Sequence, residues 1–408
     1  MSWKELTRRK KKALEGIRIA ANSDGLVREA TAGMVDRFLR NASAKAVTLR
    51  RSSDFAKASK AKALAEASRI DLFAARRKPI GWNLVEKPSG GHRTVCNLPV
   101  YMRVGQTMAK EVIHAQHHPK QHIFDWPDRG GCPGAVAAAR TAIQDHGRYV
   151  VVADIVDCYS SFNPEYIYQT NLLPAEFVRA ALDSTQYRFA YRGDTPLYDM
   201  GYTEQTCPRG LLQGGAASSA LLAVALDDLP DHLPNGVVPI CQSDNIMIVC
   251  RSAVECDAAA DALVRYLRDN PAGTFSPRLE KYWLRTLSED ARDPQSASWE
   301  RRFEEFGYTF QLNDHDECQV GLSHSNLIKV ARRFVDYLDN LPPYQSPILA
   351  FDAEMTERLA GFPALTSDQR RFLHELLEPD FTLKFLRLSP LAREEHDEED
   401  SSVPWNEN

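Results

Sequence analysis

The sequence predicts an α+β fold, with an antiparallel sheet at its centre and helical segments towards both ends. Three observations predict it. Residues 1–78 are rich in Ala, Lys and Arg and poor in turn formers, a composition that favours helix. Strand-like runs follow: Tyr149 to Ala153 leads into Asp154, and two Val- and Ile-rich runs within Val238 to Val249 meet at the polar tetrad Gln242-Ser243-Asp244-Asn245, which reads as a tight antiparallel hairpin. From Ser323 onward, the stretches Leu327–Leu338 and Phe372–Leu377 return to helical spacing and predict a separate C-terminal bundle.

The strands carry the chemistry. An apolar strand end excludes a lone carboxylate unless it is paired or bound to a metal. One such residue is explained as a turn former or a helix cap. Asp154 and Asp244 are two, at the ends of two core-like strands. If those strands are neighbours, the carboxylates can hold two divalent cations for in-line phosphoryl transfer.

Composition narrows the setting. The chain has 408 residues, 43% hydrophobic and 26% charged. No apolar run approaches the roughly 20 residues of a membrane span, and the lysine-rich start lacks the apolar core of a secretory signal. The expectation is a cytoplasmic protein without a membrane partner. Eight cysteines, at 96, 132, 158, 207, 241, 250, 256 and 318, are scattered singly, which argues against zinc and against a disulfide framework. The net charge of −5 is uneven: residues 1–80 hold 20 Lys and Arg against 8 Asp and Glu, a net +12, so the remainder carries −17. A basic first fifth on an acidic body is either a polyanion-binding surface or a solvated helical face.

In chain order, Trp82 to Leu98 reads as strand, Pro-Ser-Gly-Gly turn and strand, placing Lys87 and Arg93 on either side of a loop that suits a triphosphate. Tyr101 to His118 reads as a helix. The histidines at 114, 117, 118 and 122 have spacings compatible with a metal, but the nearest carboxylates, Glu111 and Asp125, complete no ligand pattern. A glycine-rich break at 129–134 precedes a helix from Ala135 to His146. Pro208 to Leu226 is a small-residue loop entering a helix, with Gln213 as an amide handle beside Gly214. A helix from Val254 to Asp269 follows the hairpin, then Phe275–Lys281, then an aromatic-Gly-aromatic strand at Phe306-Gly307-Tyr308-Thr309-Phe310. The end from Arg393 is an acidic tail, expected to be disordered.

Taken together and in this order, residues 79–340 resemble a reverse transcriptase. Val152-Ala-Asp-Ile-Val-Asp-Cys-Tyr-Ser-Ser-Phe162 looks like the first palm motif of that family, Leu212-Gln-Gly-Gly-Ala-Ala-Ser-Ser219 like its Q-G-x-x-x-S motif, and Gln242-Ser-Asp-Asn245 like its Y-x-D-D hairpin. The resemblance implies a right-hand polymerase: a basic helical extension (1–78), fingers (79–147), a palm (148–320), a helical thumb (321–392) and an acidic tail (393–408). It implies that Asp154, Asp244 and the Ile155 carbonyl hold two Mg2+ ions, with Mn2+ as an alternative. Lys87, Arg93, Asp157, Cys158, Tyr159, Gln213 and Gly214 would contact the incoming nucleotide, Tyr159 excluding a 2′-hydroxyl. Lys281 would protonate pyrophosphate, and Phe306, Gly307 and Tyr308 would grip the primer.

Two positions depart from the family pattern. Gln242 stands where an aromatic is expected, and Asn245 where a second aspartate is expected, which removes one charge from the metal shell. The architecture resembles stand-alone bacterial reverse transcriptases of retrons and antiviral defence. It implies a non-coding RNA template, deoxynucleotide substrates and a DNA product, with a homo-oligomer or a second defence protein as further partners. Two other readings stand beside it. One is a catalytically weakened or inactive polymerase-like RNA-binding protein. The other is an RNA-dependent RNA polymerase, against which Tyr159 argues.

Overall fold

The computed structural model describes residues 2–23, 28–52, 55–74, 79–86, 92–193, 208–284, 302–313, 315–339 and 367–375. Lys87, its Pro-Ser-Gly-Gly turn and the acidic tail lie outside these residues. The chain divides into two units, 1–283 and 284–408.

The first unit opens with four helices: α1 (Trp3–Ala21), α2 (Arg28–Arg40), α3 (Ala42–Arg50) and α4 (Lys60–Arg69). Ser2, Asn41 and Ser59 start α1, α3 and α4 as side-chain N-caps. A hairpin of β1 (Ile80–Glu86) and β2 (His92–Asn97) precedes α5 (Val100–Gln116) and α6 (Gly131–Asp145). Next come β3 (Tyr149–Val156), the short helices α7 (Cys158–Ser161), α8 (Glu165–Gln169) and α9 (Ala175–Ala181), and β4 (Phe189–Tyr191). The unit closes with α10 (Ser218–Ala225), α11 (Leu229–His232), β5 (Val238–Gln242), β6 (Asn245–Cys250), α12 (Ala253–Arg268) and β7 (Ser276–Trp283). The predicted antiparallel sheet is there, four strands in the order β5-β6-β3-β7, and β2-β1-β4 forms a separate three-stranded sheet.

The four-stranded sheet has two different faces, because side chains alternate along a strand. Val151, Ala153 and Ile155 of β3 and Ile246, Ile248 and Cys250 of β6 enter one large core with the helices. Asp154, Val152 and Val150 point the other way, opposite Asn245, Met247 and Val249. β7 is an edge strand, and there Pro277 is tolerated.

The helical extension belongs to the same core. Ile17, Val35, Phe38, Leu39 and Leu49 pack with Met108, Val112 and Ile113 of α5. Ala44, Ala46, Ala63 and Ala67 are buried, their small size letting α3 and α4 approach closely. Lys10 of α1 is buried as well. Its ammonium donates to Glu111 at 2.7 Å and to Thr48 at 2.6 Å, and burial lowers its pKa against the raising effect of Glu111.

The second unit is not helical alone. It holds the antiparallel meander β8 (Arg302–Glu305), β9 (Tyr308–Leu312) and β10 (Cys318–Leu322), with α13 (His324–Asp339) and α14 (Ser367–Glu375). The aromatic-Gly-aromatic stretch is not one strand. Phe306 and Gly307, at φ 54° and 77°, make the two-residue turn, and the strand begins at Tyr308. The Asn326 amide donates to the Gly307 carbonyl at 2.9 Å and occupies the space a Cβ would need there. Six of the seven described cysteines are buried. Among the described residues no helix is long and apolar enough to cross a membrane.

Removing Glu111 leaves the buried Lys10 ammonium uncompensated. The Glu111→Ala variant is expected to lose about 3 kcal/mol of stability, read as a shift in the urea midpoint. An unchanged midpoint would show that the pair does not tie the extension to α5.

Candidate functional site

Register decides which side chains meet. Asp154 lies opposite Asn245 of β6 and opposite Arg278 of β7, and Asn245 lies opposite Gln242 of β5. One row of four residues, Gln242, Asn245, Asp154 and Arg278, therefore crosses the sheet on one face. The Ile155 N–H donates to the Asp244 carbonyl at 3.1 Å, so the backbone groups of Ile155 face the hairpin and those of Asp154 face β7. Asp154 and Asn245 are then a non-hydrogen-bonded pair, the kind in which side chains approach most closely. The same alternation aims the Ile155 carbonyl at the hairpin turn. Asp154, Ile155, Asp244 and Asn245 thus lie together at one end of the β3–β6 pair.

The hairpin loop is two residues, Ser243 and Asp244, with Ser243 at φ 57°. Asp157, at φ 47°, starts α7 on the other strand's continuation. Two non-glycine residues held in the left-handed region thus flank the carboxylates, where backbone strain commonly accompanies function. Asp157 is exposed and Cys158 is buried, its thiol pushed up by burial. The Tyr159 and Ser243 hydroxyls share a hydrogen bond at 2.7 Å, which fixes the ring against the hairpin. Burial pushes the Tyr159 phenol up to about 12, so it stays protonated.

The loop predicted to lie under a nucleotide reaches the same place. Leu211 N–H donates to the Tyr159 carbonyl at 2.8 Å, and Gly210, at φ 65°, sits so close to that oxygen that a Cβ would lie 2.1 Å from it. Cys96 N–H of β2 donates to the Gln213 carbonyl at 3.4 Å. The strand that carries Arg93 is thereby tied to the Gln213-Gly214 loop, which is tied to Tyr159 and through it to the hairpin. Arg93 itself is exposed. The Gln213 side-chain oxygen is buried without a hydrogen-bond partner among the described residues.

One expected residue is not brought to this place. Lys281 pairs with Val151 and so lies on the opposite face of the sheet, where its ammonium forms an ion pair with Asp257 of α12 at 2.5 Å. The cation on the carboxylate face is Arg278, three residues earlier, exposed and without an ion pair among the described residues. Phe306, Gly307 and Tyr308 belong to the second unit. Of the histidines, His114 and His117 both pack on Trp126, His117 also meets Asp227 at 3.2 Å, His118 lies near Asn22, and His122 meets the Leu226 carbonyl at 3.0 Å. No group of three or more His, Cys, Asp or Glu side chains able to hold a metal occurs among the described residues.

Sequence reasoning missed Asp125. Its carboxylate accepts from the Gln242 side-chain amide and from the Ser243 N–H, gripping the hairpin from its β5 side. Burial pushes Asp125 up to about 6, and the charge of Asp244 adds to that against the opposing donors. No sequence signal marks it, since its partners lie more than 100 residues away. The Asp125 carboxyl is therefore expected to titrate near pH 6 in an isotope-edited infrared measurement. Its midpoint should fall in Asp244→Asn, where the like charge is gone; an unmoved midpoint would show that the two carboxylates do not interact.

No protein-family model matches the sequence, and no curated protein matches it. Among solved structures, the chain is similar to telomerase from Candida albicans in complex with a TWJ fragment of telomeric RNA, with a TM-score of 0.37 and 9% identity. The match covers 77% of this chain and 61% of the telomerase chain, so this chain spans less than two thirds of that protein's length. The chain is a mixed α/β protein with antiparallel sheets, and its similarity to that telomerase is weak.

Proposed function

We propose that the chain is an RNA-directed DNA polymerase, joining deoxynucleotides by phosphoryl transfer at the face that carries Asp154 and Asp244. One observation carries this reading: the register that sets Asp154 against Asn245, beside the Asp244 turn, with Tyr159 fastened to Ser243.

The donor set fits hard divalent cations. Asp154, Asp244 and the Ile155 carbonyl offer oxygen ligands, the kind Mg2+ and Mn2+ take. Bound there, a cation pair supplies neutralisation of phosphate charge and activation of a 3′-hydroxyl. The protein's own residues do the rest. The Tyr159 ring, held by its hydroxyl, presents a fixed wall that a deoxyribose clears and a 2′-hydroxyl does not. Gln213 offers its unpartnered amide oxygen, and Arg93 and Lys87 offer cations for a triphosphate. Arg278, on the carboxylate face, takes the place expected of Lys281 as the cation nearest the leaving group. The finger, palm and thumb assignments follow from this reading, as do the RNA template and the DNA product. Its finer part, a dedicated non-coding RNA in bacterial antiviral defence, is supported by the order of sequence segments.

A second reading has its own observation. The Asn245 amide nitrogen donates to Asp244 at 3.3 Å, so in this arrangement it orients that carboxylate and adds no negative charge beside it. On that reading the chain binds RNA and does not polymerise.

The two are separated by incorporation of radiolabelled deoxynucleotides on an RNA template, with Asp154→Ala and Asp244→Ala as controls. Polymerase activity that falls to background in both variants is expected. Label that persists in both would refute the site, and tight RNA binding without product from any nucleotide would establish the second reading.

A further inference from the structure

We infer that Asp125 is a positioning residue that supplies the candidate metal site, from outside the hairpin, with the negative charge Asn245 lacks. The inference rests on the proposed site and names a further residue in it.

Asp125 arrives there through main-chain pairing. Cys241 N–H donates to the His122 carbonyl at 2.7 Å and Phe124 N–H donates to the Cys241 carbonyl at 2.9 Å, making a parallel bridge between Ile123 and Cys241. The chain thus runs alongside β5 and delivers the next residue, Asp125, beside Gln242 and Ser243. Both residues immediately before Asp244 donate to its carboxylate. Among the described residues Asp125 has no ion pair, and Asp244 is the carboxylate whose charge it feels. Like charges held near one another are unfavourable, and a divalent cation bound beside them relieves both. Among the described residues no three ligating side chains converge, and on this inference Asp125 takes an outer place. It acts through the turn, by charge and by fixing the backbone that presents Asp244, as outer partners of metal ligands do.

Substitution by amide isolates the charge. In D125N the new side-chain oxygen still accepts from Ser243 N–H. Gln242 can turn its amide over to accept from the new NH2, because its oxygen is now buried without a partner among the described residues. The hydrogen bonds survive and one charge is lost.

The test is Mn2+ binding by the full chain, read from the free-ion EPR signal without nucleotide, alongside deoxynucleotide incorporation. D125N is expected to weaken Mn2+ binding about tenfold, the lower end for such outer residues, and N245D in the D125N background is expected to restore most of it. Unchanged Mn2+ binding in folded D125N, or a double variant no better than the single, overturns the inference. Should D125N fail to fold by circular dichroism, D125E, which keeps the charge, is expected to bind Mn2+ within about twofold of the parent. A folded D125E that has lost binding overturns it equally. Absence of incorporation in the parent chain, with Mn2+ binding behaving as expected, would refute the polymerase reading and leave this one standing.

Discussion

The pairing of β3 with β6 is the constraint on which the site depends. A strand's side chains alternate, so a slip of one residue would turn Asp154 into the helical core and bring Ala153 or Ile155 out beside Asn245. What prevents the slip is hydrophobic. Val151, Ala153 and Ile155 fill the same core as Ile246 and Ile248, and no shifted register keeps all five buried. The carboxylate is thus held in place by residues that never touch it. Burying them offsets the cost of leaving a half-buried charge on the other face.

From that pair, contacts run outward without a break. Ser243 takes the Tyr159 hydroxyl, the Tyr159 carbonyl takes Leu211, and the Gln213 carbonyl takes Cys96 of the β1–β2 hairpin. On the other side Asp125 takes Ser243 and Gln242. Several of these are main-chain bonds, so the positions of the loops depend little on which side chains the loops present. The contacts link the Tyr159 ring, the Gln213 loop and the Asp244 turn, while Arg93 and Arg278 are exposed.

Part of this was legible in the sequence, for physical reasons. Asp154 and Asp244 stood out because a carboxylate interrupts a run of β-branched residues. That their strands are neighbours is a condition of the sequence reading, and the β3–β6 pairing supplies it. The facing of β7 was not legible: Arg278 and Lys281 both alternate with other residues, and which of them meets Asp154 is settled by the partner strand. Asp125 sits in irregular chain between two helices, where no periodicity exists to be broken. Phe306-Gly307 looked like strand because of its aromatic neighbours, yet its two positive φ angles make a turn. The second unit accordingly carries a three-stranded meander where a single strand at 306–310 was expected ahead of the helices from Ser323. In the extension, small buried alanines are what allow α3 and α4 to lie close together.

The extension also shows how one segment serves the core and the surface together. Several of its cations are already engaged: Arg8 and Arg9 with Glu5, Arg18 with Glu15, Arg40 with Asp36, and Lys10 inside with Glu111. These pairs add little net charge to the surface. The excess resides in residues such as Lys4, Lys11, Lys12 and Arg37, which are exposed and make no ion pair among the described residues. Uncompensated cations on helices that are themselves anchored in the main core form a fixed array, and a fixed array binds a polyanion without first having to order itself. Attraction of that kind is delocalised over phosphates and weakens as salt rises. On the polymerase reading, an RNA held there would be gripped by its backbone, and the choice of sugar would fall to Tyr159.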